Sequence, residues 1–325
     1  MNYSRRDFVR TLFVASQATF LGQVASAPVW ADDSHPALNF LVMGDWGRMG
    51  RPDQLLVAKQ MADTAKEIGA KFVMAVGDNF YEDGVASTSD RHWEHSFEKV
   101  YNADSLQVPW YVVLGNHDYH GNCDAQIDYG KTSNRWIMPA RYFTKTYAVD
   151  ATTTLECFYI DTTPLIREYY QLDDHENPHI RKHVMSQDVP AQYAWLNQVL
   201  AASKANWKIV VGHHPIYSGG VVHGDQPDLI DNLLPILKQH KVQAYFCGHD
   251  HNLQHLTAGD VNLFVSGGGS EHLATHTTVH TEFDQSASGF MAVSLRRDEM
   301  KVRVIKDSGN QLYETTVPRQ VSAAT

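Results

Sequence analysis

The sequence has little cysteine, a modest share of charged residues and a deficit of basic ones. Its 325 residues include 3 cysteines and 20% charged residues, with 27 Lys and Arg against 37 Asp and Glu. So few cysteines allow at most one disulfide, and the apolar runs around Cys157 and Cys247 predict buried strands, so these thiols are expected in the core. The formal net charge of -10 argues against a large nucleic-acid-binding surface.

Several well-known catalytic patterns are also missing. The sequence contains no G-x-S-x-G elbow, no C-x-x-C pair, no Walker loop and no G-x-G-x-x-G turn. These absences argue against a serine hydrolase of the elbow type, a dithiol redox protein, a P-loop NTPase and a dinucleotide-binding enzyme. The hydrophobic share of 43% is enough to form a substantial core, so the chain is expected to be globular.

The N-terminal segment SRRDFVR, Ser4 to Arg10, places adjacent arginines before an apolar stretch and resembles a twin-arginine export signal. Polar residues such as Gln17 interrupt that stretch, so it predicts no stable membrane insertion. Cleavage sites are offered by Ala25 to Ala27 and by Val29 to Ala31. We expect a signal peptide over residues 1–31, a single catalytic domain over 32–325, the twin-arginine export machinery as a partner, and a periplasmic or secreted protein.

Helical patterns alternate with short apolar runs along most of the chain, which is typical of a largely parallel sheet with helical crossovers. The runs ALNFLVM, KFVMAV, VPWYVVL, WKIVV and VQAYFC each end in a glycine and a polar residue. Later runs, from VNLFVS onward, predict a second sheet rather than a second domain. Residues 173–187 are charged and histidine-rich and predict a surface loop. The glycine run from Ser266 to Ser270 follows a predicted strand and predicts a flexible turn, with a place in the lining of the functional site as the alternative.

Metal-binding side chains follow these predicted strand ends, where parallel sheets build their sites. They comprise carboxylates, a phenol, an amide and imidazoles: Asp45, Asp78, Tyr81, Asn116, His213, His249 and His251. A single catalytic ion usually takes about three protein ligands. Two ions bridged by one carboxylate account for the larger set, and such pairs serve in-line displacement at phosphorus.

The blocks GDWG, GDNFYEDG, GNHD, VVGHHPIYSGGVVHG and CGHDHNLQ, in this order, resemble those of the purple acid phosphatases, especially the small mammalian-type tartrate-resistant enzymes. The resemblance implies an α/β fold, a four-layer αββα sandwich of two mixed sheets flanked by helices, as in calcineurin-like metallophosphoesterases. It implies ferric iron on Asp45, Asp78, Tyr81 and His251. It also implies a divalent ion, Fe(II), Zn(II) or Mn(II), on Asp78, Asn116, His213 and His249.

The same resemblance implies roles for residues around the metals. Tyr81 separates this family from the wider superfamily, and an iron phenolate should make the protein purple. His117 would contact the phosphate, with Asn116 beside it, and His223 would protonate the leaving group. His214 departs from the mammalian pattern; we expect it to contact the substrate, with exposure to solvent as the alternative.

The implied function is acid hydrolysis of small phosphate monoesters by a hydroxide held at the metals. Two alternatives stay open. One is a superfamily phosphodiesterase or nucleotide hydrolase without an iron phenolate, and the other is a non-catalytic iron-binding or redox protein of the cell envelope. The sequence leaves the physiological substrate, the divalent metal and the oligomeric state open.

Overall fold

The computed structural model describes residues 37–172 and 178–320. Within these residues the strands form two sheets of seven strands each. The first sheet has the order β14-β13-β12-β1-β2-β3-β4 and the second β11-β9-β10-β8-β7-β6-β5. The strands are β1 Leu38–Met43, β2 Val73–Ala75, β3 Trp110–Val112, β4 Trp136–Ile137, β5 Phe143–Ala148, β6 Thr154–Tyr159, β7 Trp207–Val211, β8 Ala244–Cys247, β9 Leu253–Ala258, β10 Val261–Ser266, β11 Thr281–Gln285, β12 Gly289–Leu295, β13 Glu299–Lys306 and β14 Gln311–Pro318.

Both sheets are mixed. In the first, β1 to β4 pair in parallel and β12 to β14 add antiparallel strands next to β1. In the second, β6, β7, β8 and β10 pair in parallel, while β5 pairs antiparallel with β6, β9 with β10, and β11 with β9. The prediction that all the late strands would build a second sheet is therefore wrong in part, because β12 to β14 extend the first sheet across β1.

Helices cover the outer face of each sheet. The α-helices are α1 Pro52–Ile68, α2 Cys123–Gly130, α3 Pro178–Met185, α4 Val189–Ala202, α5 Pro227–Asn232 and α6 Leu234–Gln239. A short π-helix spans Trp93–Glu98. Helices α5 and α6 follow each other closely, with Leu233 between them.

Three apolar clusters separate the layers. Val57 and Met61 of α1 pack with Leu41 on one side of the first sheet. Phe40 of β1 and Ile209 of β7 share the cluster between the sheets, and helix α4 packs on the far side of the second sheet through Leu196. Alternate residues of a strand point to opposite faces, so β1 contributes to two clusters. The predicted four-layer α/β sandwich is confirmed.

The segment predicted as a surface loop contains helix α3, so that prediction is wrong for residues 178–185. Ile180 and Val184, one helical turn apart, are buried in the first outer cluster. The Nδ1 atom of His183 lies 2.8 Å from the carbonyl oxygen of Tyr119. The charged residues hid this narrow apolar stripe in the sequence. The remainder of that segment, residues 173–177, lies outside the described part of the chain.

The described residues also bear on the predictions about the cysteines and about membrane insertion. Cys123, Cys157 and Cys247 are all free and buried, as expected for core thiols. No described helix combines the length and the apolar character needed to cross a bilayer. The proposed signal segment, residues 1–31, lies outside the described residues.

Candidate metal centre

The metal-binding side chains follow strands of both sheets. Asp45, Asp78 and Asn116 come after β1, β2 and β3 of the first sheet, whereas His213 and His249 come after β7 and β8 of the second. The sequence argument placed these residues at the edge of a largely parallel sheet. In the structure, parallel strands of both sheets end at the same edge of the sandwich, and the loops that follow them face each other.

The backbone at these strand ends is constrained. Asp45, Asp78 and His249 have positive φ angles of 60°, 48° and 71°, a conformation that non-glycine residues adopt at a cost. A Cβ at Gly77 would lie 2.5 Å from Nδ1 of His213, and one at Gly115 would lie 2.2 Å from a carboxylate oxygen of Asp78. The glycines thus allow the donors to approach one another closely.

Three donor residues surround the hydroxyl of Tyr81. This oxygen lies 3.0 Å from Oδ1 of Asp45 and 2.9 Å from Oδ2 of Asp78, so its one proton is shared between two carboxylates, and it lies 3.0 Å from Nε2 of His251. That nitrogen is 3.5 Å from Oδ1 of Asp45. We call Asp45, Tyr81 and His251 the phenol-side donors, with Asp78 shared.

A second set meets around the amide oxygen of Asn116. Its Oδ1 lies 3.2 Å from Nε2 of His213 and 3.0 Å from Nδ1 of His249. Nε2 of His213 is also 3.4 Å from Oδ2 of Asp78, the same oxygen that accepts from Tyr81. We call Asn116, His213 and His249 the imidazole-side donors. Asp78 therefore lies between the two sets.

The electrostatics of the cluster favour positive charge. Burial alone would raise the pKa of Asp78, but His213 and His117 hold it well below its usual value. Burial opposes protonation of His213, yet Asp78 raises its pKa to about 9, and Asp45 raises that of His251. Without a metal, protons on imidazoles supply the charge that these buried carboxylates require.

The pKa of the Tyr81 phenol is shifted so that the group stays neutral. Burial raises the pKa of its phenol well above 10, and the carboxylates of Asp45 and Asp78 add to this. The phenol therefore keeps its proton and donates it until a strong Lewis acid takes its place.

The donor set fits a pair of metal ions. Oxygen donors predominate on the phenol side, and carboxylates and phenolates suit a hard cation. Burial and two neighbouring histidines, His214 and His213, lower the pKa of His249 well below its usual value, so its imidazole is neutral, the form that binds metal. Donor atoms of Asp45, Asp78 and His213 lie within 4.8 Å of one another, so one small region can hold the ions.

Two further histidines lie outside the donors. The ring of His117 is 4.4 Å from that of Tyr81, and its Nδ1 is 2.6 Å from the carbonyl oxygen of Glu82. Since a carbonyl only accepts, Nδ1 carries the proton and Nε2 is left for another partner. The exposed His223 lies with its ring 4.1 Å from that of His249. Each donor set thus has one histidine at its margin.

His214 is held within the protein. Its Nδ1 lies 2.8 Å from the hydroxyl of Thr162 and its Nε2 lies 2.8 Å from that of Tyr169. The side chain is fully buried, so the alternative that it faces solvent is wrong. Its contact with substrate stays a prediction, and both ring nitrogens already have protein partners.

The run from Ser266 to Ser270 supports the site and is not a flexible surface turn, because all of its residues are buried. A Cβ at Gly267 would lie 2.1 Å from the backbone oxygen of Asp250, and one at Gly269 would lie 2.3 Å from that of Gly44. The Ser270 hydroxyl donates to the backbone oxygen of Asp45 at 2.7 Å. The turn prediction was wrong because a glycine run has the same sequence in a mobile turn and in a segment where the missing side chains allow close backbone packing.

Sequence reasoning missed the charged residues that surround the donors. Arg48, only 8% exposed, pairs with Glu82 and Glu271. Glu271 lies 3.4 Å from Nδ1 of His251, and Asp250 accepts from Ser218 at 2.5 Å. Arg48 follows the GDWG block directly and Glu271 follows the glycine run. Their adjacency to recognised blocks was the one signal that could have found them.

The sequence and the fold of this chain are similar to those of known proteins. The family model described as calcineurin-like phosphoesterase matches residues 38–253. Purple acid phosphatase 17 of Arabidopsis thaliana is 38% identical over 299 residues, which cover 89% of this chain and 86% of the relative. The tartrate-resistant acid phosphatase type 5 of Sus scrofa is 35% identical over 305 residues, 88% of each chain.

Two solved structures share the fold of this chain. A structure described as GAP50, the anchor in the inner membrane complex of Plasmodium, superposes with a TM-score of 0.76 at 26% identity and covers 88% of this chain and 90% of its own. A purple acid phosphatase from yellow lupin seeds has a TM-score of 0.64 at 17% identity and covers 88% of this chain and 54% of its own. The second supports the fold alone.

Proposed function

The chain belongs to the purple acid phosphatases within the calcineurin-like phosphoesterase family, and we propose that its phosphomonoesterase activity uses an Fe(III) ion and a divalent ion held at the edge of the sandwich. One observation carries this proposal. Oδ2 of Asp78 lies within 2.9 Å of the Tyr81 hydroxyl and 3.4 Å of Nε2 of His213, so a single carboxylate reaches both donor sets.

The residues divide between the ions by chemistry. The phenol-side donors with Asp78 would hold the ferric ion, and the imidazole-side donors with Asp78 would hold Fe(II), Zn(II) or Mn(II). When bound, such a pair withdraws charge from phosphoryl oxygens and makes water a better nucleophile. This assignment is supported by the phenol, which becomes an anionic ligand only beside a strong Lewis acid.

The marginal histidines have separate tasks in this proposal. The contact of Nδ1 of His117 with the Glu82 carbonyl fixes the ring and leaves Nε2 to contact a phosphoryl oxygen. His223 lies at the solvent side of His249 and gives its proton to the departing alcohol oxygen. Asn116 orients its amide toward both imidazoles and lies next to His117 in the chain.

Metal analysis and a visible spectrum of the purified protein, with assays on an aryl phosphate monoester and diester, test the proposal. We expect a purple protein with iron and a second metal that cleaves the monoester in mildly acidic buffer. A colourless zinc or manganese protein that prefers the diester would instead support the superfamily phosphodiesterase. Full metal content without turnover of either ester would contradict both enzymatic assignments.

We propose further that the chain is exported in folded form by the twin-arginine route to the periplasm or the medium. The support is the segment SRRDFVR with the apolar stretch behind it. Replacing Arg5 and Arg6 together by Lys should keep the full-length protein in the cytoplasm while leaving its activity in lysates unchanged. Equal export of the double variant and the parent chain would contradict this route.

A further inference from the structure

Arg48 is a buried cation beside the phenol-side donors. Its side chain is 8% exposed, and each of its guanidinium nitrogens has a partner. Nη1 donates to Glu82 at 2.8 Å, Nη2 donates to Glu271 at 2.7 Å and Nε donates to the Ser270 hydroxyl at 3.2 Å. A guanidinium held by three separate partners is fixed in position and orientation.

The fixed guanidinium lies on the ring of Tyr81. The Cζ atom of Arg48 is 3.8 Å from the ring centroid, within the range of a cation–π contact. The attraction grows when the ring bears negative charge, so the contact is stronger with a phenolate than with a phenol. Arg48 therefore favours the form of Tyr81 that binds iron, without occupying a coordination position.

The partners of Arg48 reach the other phenol-side donors. Glu271 accepts from Arg48 and lies 3.4 Å from Nδ1 of His251, the ring nitrogen away from Tyr81. Ser270 accepts from Arg48 and donates to the backbone oxygen of Asp45. One guanidinium thus touches Tyr81 directly and is one residue removed from Asp45 and His251. Among the described residues, Arg48 makes no hydrogen bond, ion pair or ring contact with the imidazole-side donors.

A role in stability alone does not account for the position of the Arg48 guanidinium. Glu82 and Glu271 have side chains that are 59% and 46% exposed, so water could solvate them without a partner. Surface pairs contribute little to stability, whereas burying a guanidinium costs free energy. The placement of this charge on the Tyr81 ring is the feature that the ion pairs leave unexplained.

We propose that Arg48 is a positioning residue for the iron side of the centre, which sets the electron density of the Tyr81 phenolate and, through Glu271 and Ser270, the orientation of His251 and Asp45. The inference rests on the proposed iron phenolate and adds a residue that tunes it. Outer-shell partners of this kind typically change metal affinity or activity by about 10- to 100-fold.

The test compares visible spectra and iron retention of metal-loaded variants. Arg48→Met and Arg48→Gln remove the charge, which leaves the phenolate more electron-rich, so its charge-transfer band should move to longer wavelength. Iron loss to a chelator should become about 10- to 100-fold faster. Arg48→Lys keeps the charge but not the fork, so its band should stay nearer to that of the parent protein while iron is still lost faster.

Arg135 provides a matched control. It is also buried, lies over an aromatic ring with Cζ 4.1 Å from the centroid of Phe97, and pairs with Glu98 at 2.7 Å, but it belongs to neither donor set. Arg135→Met should lower thermal stability without moving the band. This separates a general effect of losing a buried arginine from an effect on the phenolate.

The possible results distinguish a failure of this inference from a failure of the proposed metal centre. A purple parent protein whose band moves in neither Arg48→Met nor Arg48→Gln would overturn this inference alone, as would an equal shift in Arg48→Lys or in Arg135→Met. A colourless parent protein with no iron would overturn the proposed centre and this inference together. Where Arg48→Met yields no folded protein, Arg48→Gln, which can still hydrogen-bond with Ser270, decides the result.

Discussion

The two donor sets of the site differ in charge although they share Asp78. The phenol side offers the carboxylate of Asp45 and the phenol oxygen of Tyr81, whereas the imidazole side offers the neutral amide of Asn116 and the imidazoles of His213 and His249. Anionic oxygen donors favour a trivalent, hard cation, and neutral nitrogen donors favour a divalent one. The two donor sets would therefore suit two different ions, as proposed above.

The surroundings of the two sets differ in the same direction. Arg48 and Glu271 lie around the phenol side, where a buried cation compensates for excess negative charge. His214 and His223 lie around the imidazole side, with their rings 4.3 Å and 4.1 Å from that of His249. Removing single residues from one side or from the shared position should therefore produce distinguishable losses.

The largest effect is expected at the shared carboxylate. Asp78→Ala would remove the shared ligand of both proposed ions and leave His213 without its buried counter-charge, so activity should fall by more than the roughly 10²- to 10⁴-fold expected for loss of a proton donor. Metal content and turnover of an aryl phosphate measure this. Asp63→Ala, an exposed carboxylate on α1, should change neither. Retention of both metals by Asp78→Ala would contradict the bridging role.

The outer histidines should separate by the kind of ester they affect. His223→Ala removes the proposed proton donor, so alkyl phosphates should slow by about 10²- to 10⁴-fold while a phosphate with a good leaving group slows much less. His117→Ala, on the phenol side, should slow both esters alike because its partner is the phosphoryl group. Equal losses on both esters in His223→Ala would reject the proton-donor role.

The next effect concerns the phenol side alone. Tyr81→Phe keeps the ring and removes the hydroxyl that contacts Asp45, Asp78 and His251, so the visible band should vanish and ferric iron should be lost more readily. Tyr101→Phe, another buried tyrosine outside both sets, should leave the colour intact. A Tyr81→Phe protein that stayed purple would remove this residue from the iron.

The smallest effect is expected from the support beneath Asp45. In Gly269→Ala the new Cβ would crowd the Gly44 carbonyl, and overpacking of this kind costs about 1 to 3 kcal/mol of unfolding free energy. Gly259→Ala has open space around the added Cβ and bears only the cost of its φ of 72°, so it should lose less. Denaturant titration compares the two, and an equal loss would mean that crowding at Gly269 is relieved.

Much of the fold could be predicted because hydrophobic patterns report burial directly. Runs such as Leu38–Met43 and Trp207–Val211 are apolar enough to identify strands buried on both faces. Helix α3 was not predicted because only Ile180 and Val184 mark its buried face among charged residues. A pattern that narrow cannot be distinguished from a polar loop without its packing partner.

The proposed donors, from Asp45 to His251, and the order of the blocks that identify the family can be read from the linear chain, because each donor belongs to its own local strand-end pattern. That strands from two sheets supply these donors, and that Asp78 lies between both sets, follows from the folded arrangement alone. The same arrangement places Arg48 on the Tyr81 ring. Contacts between residues tens or hundreds of positions apart depend on sheet packing, which no local pattern encodes.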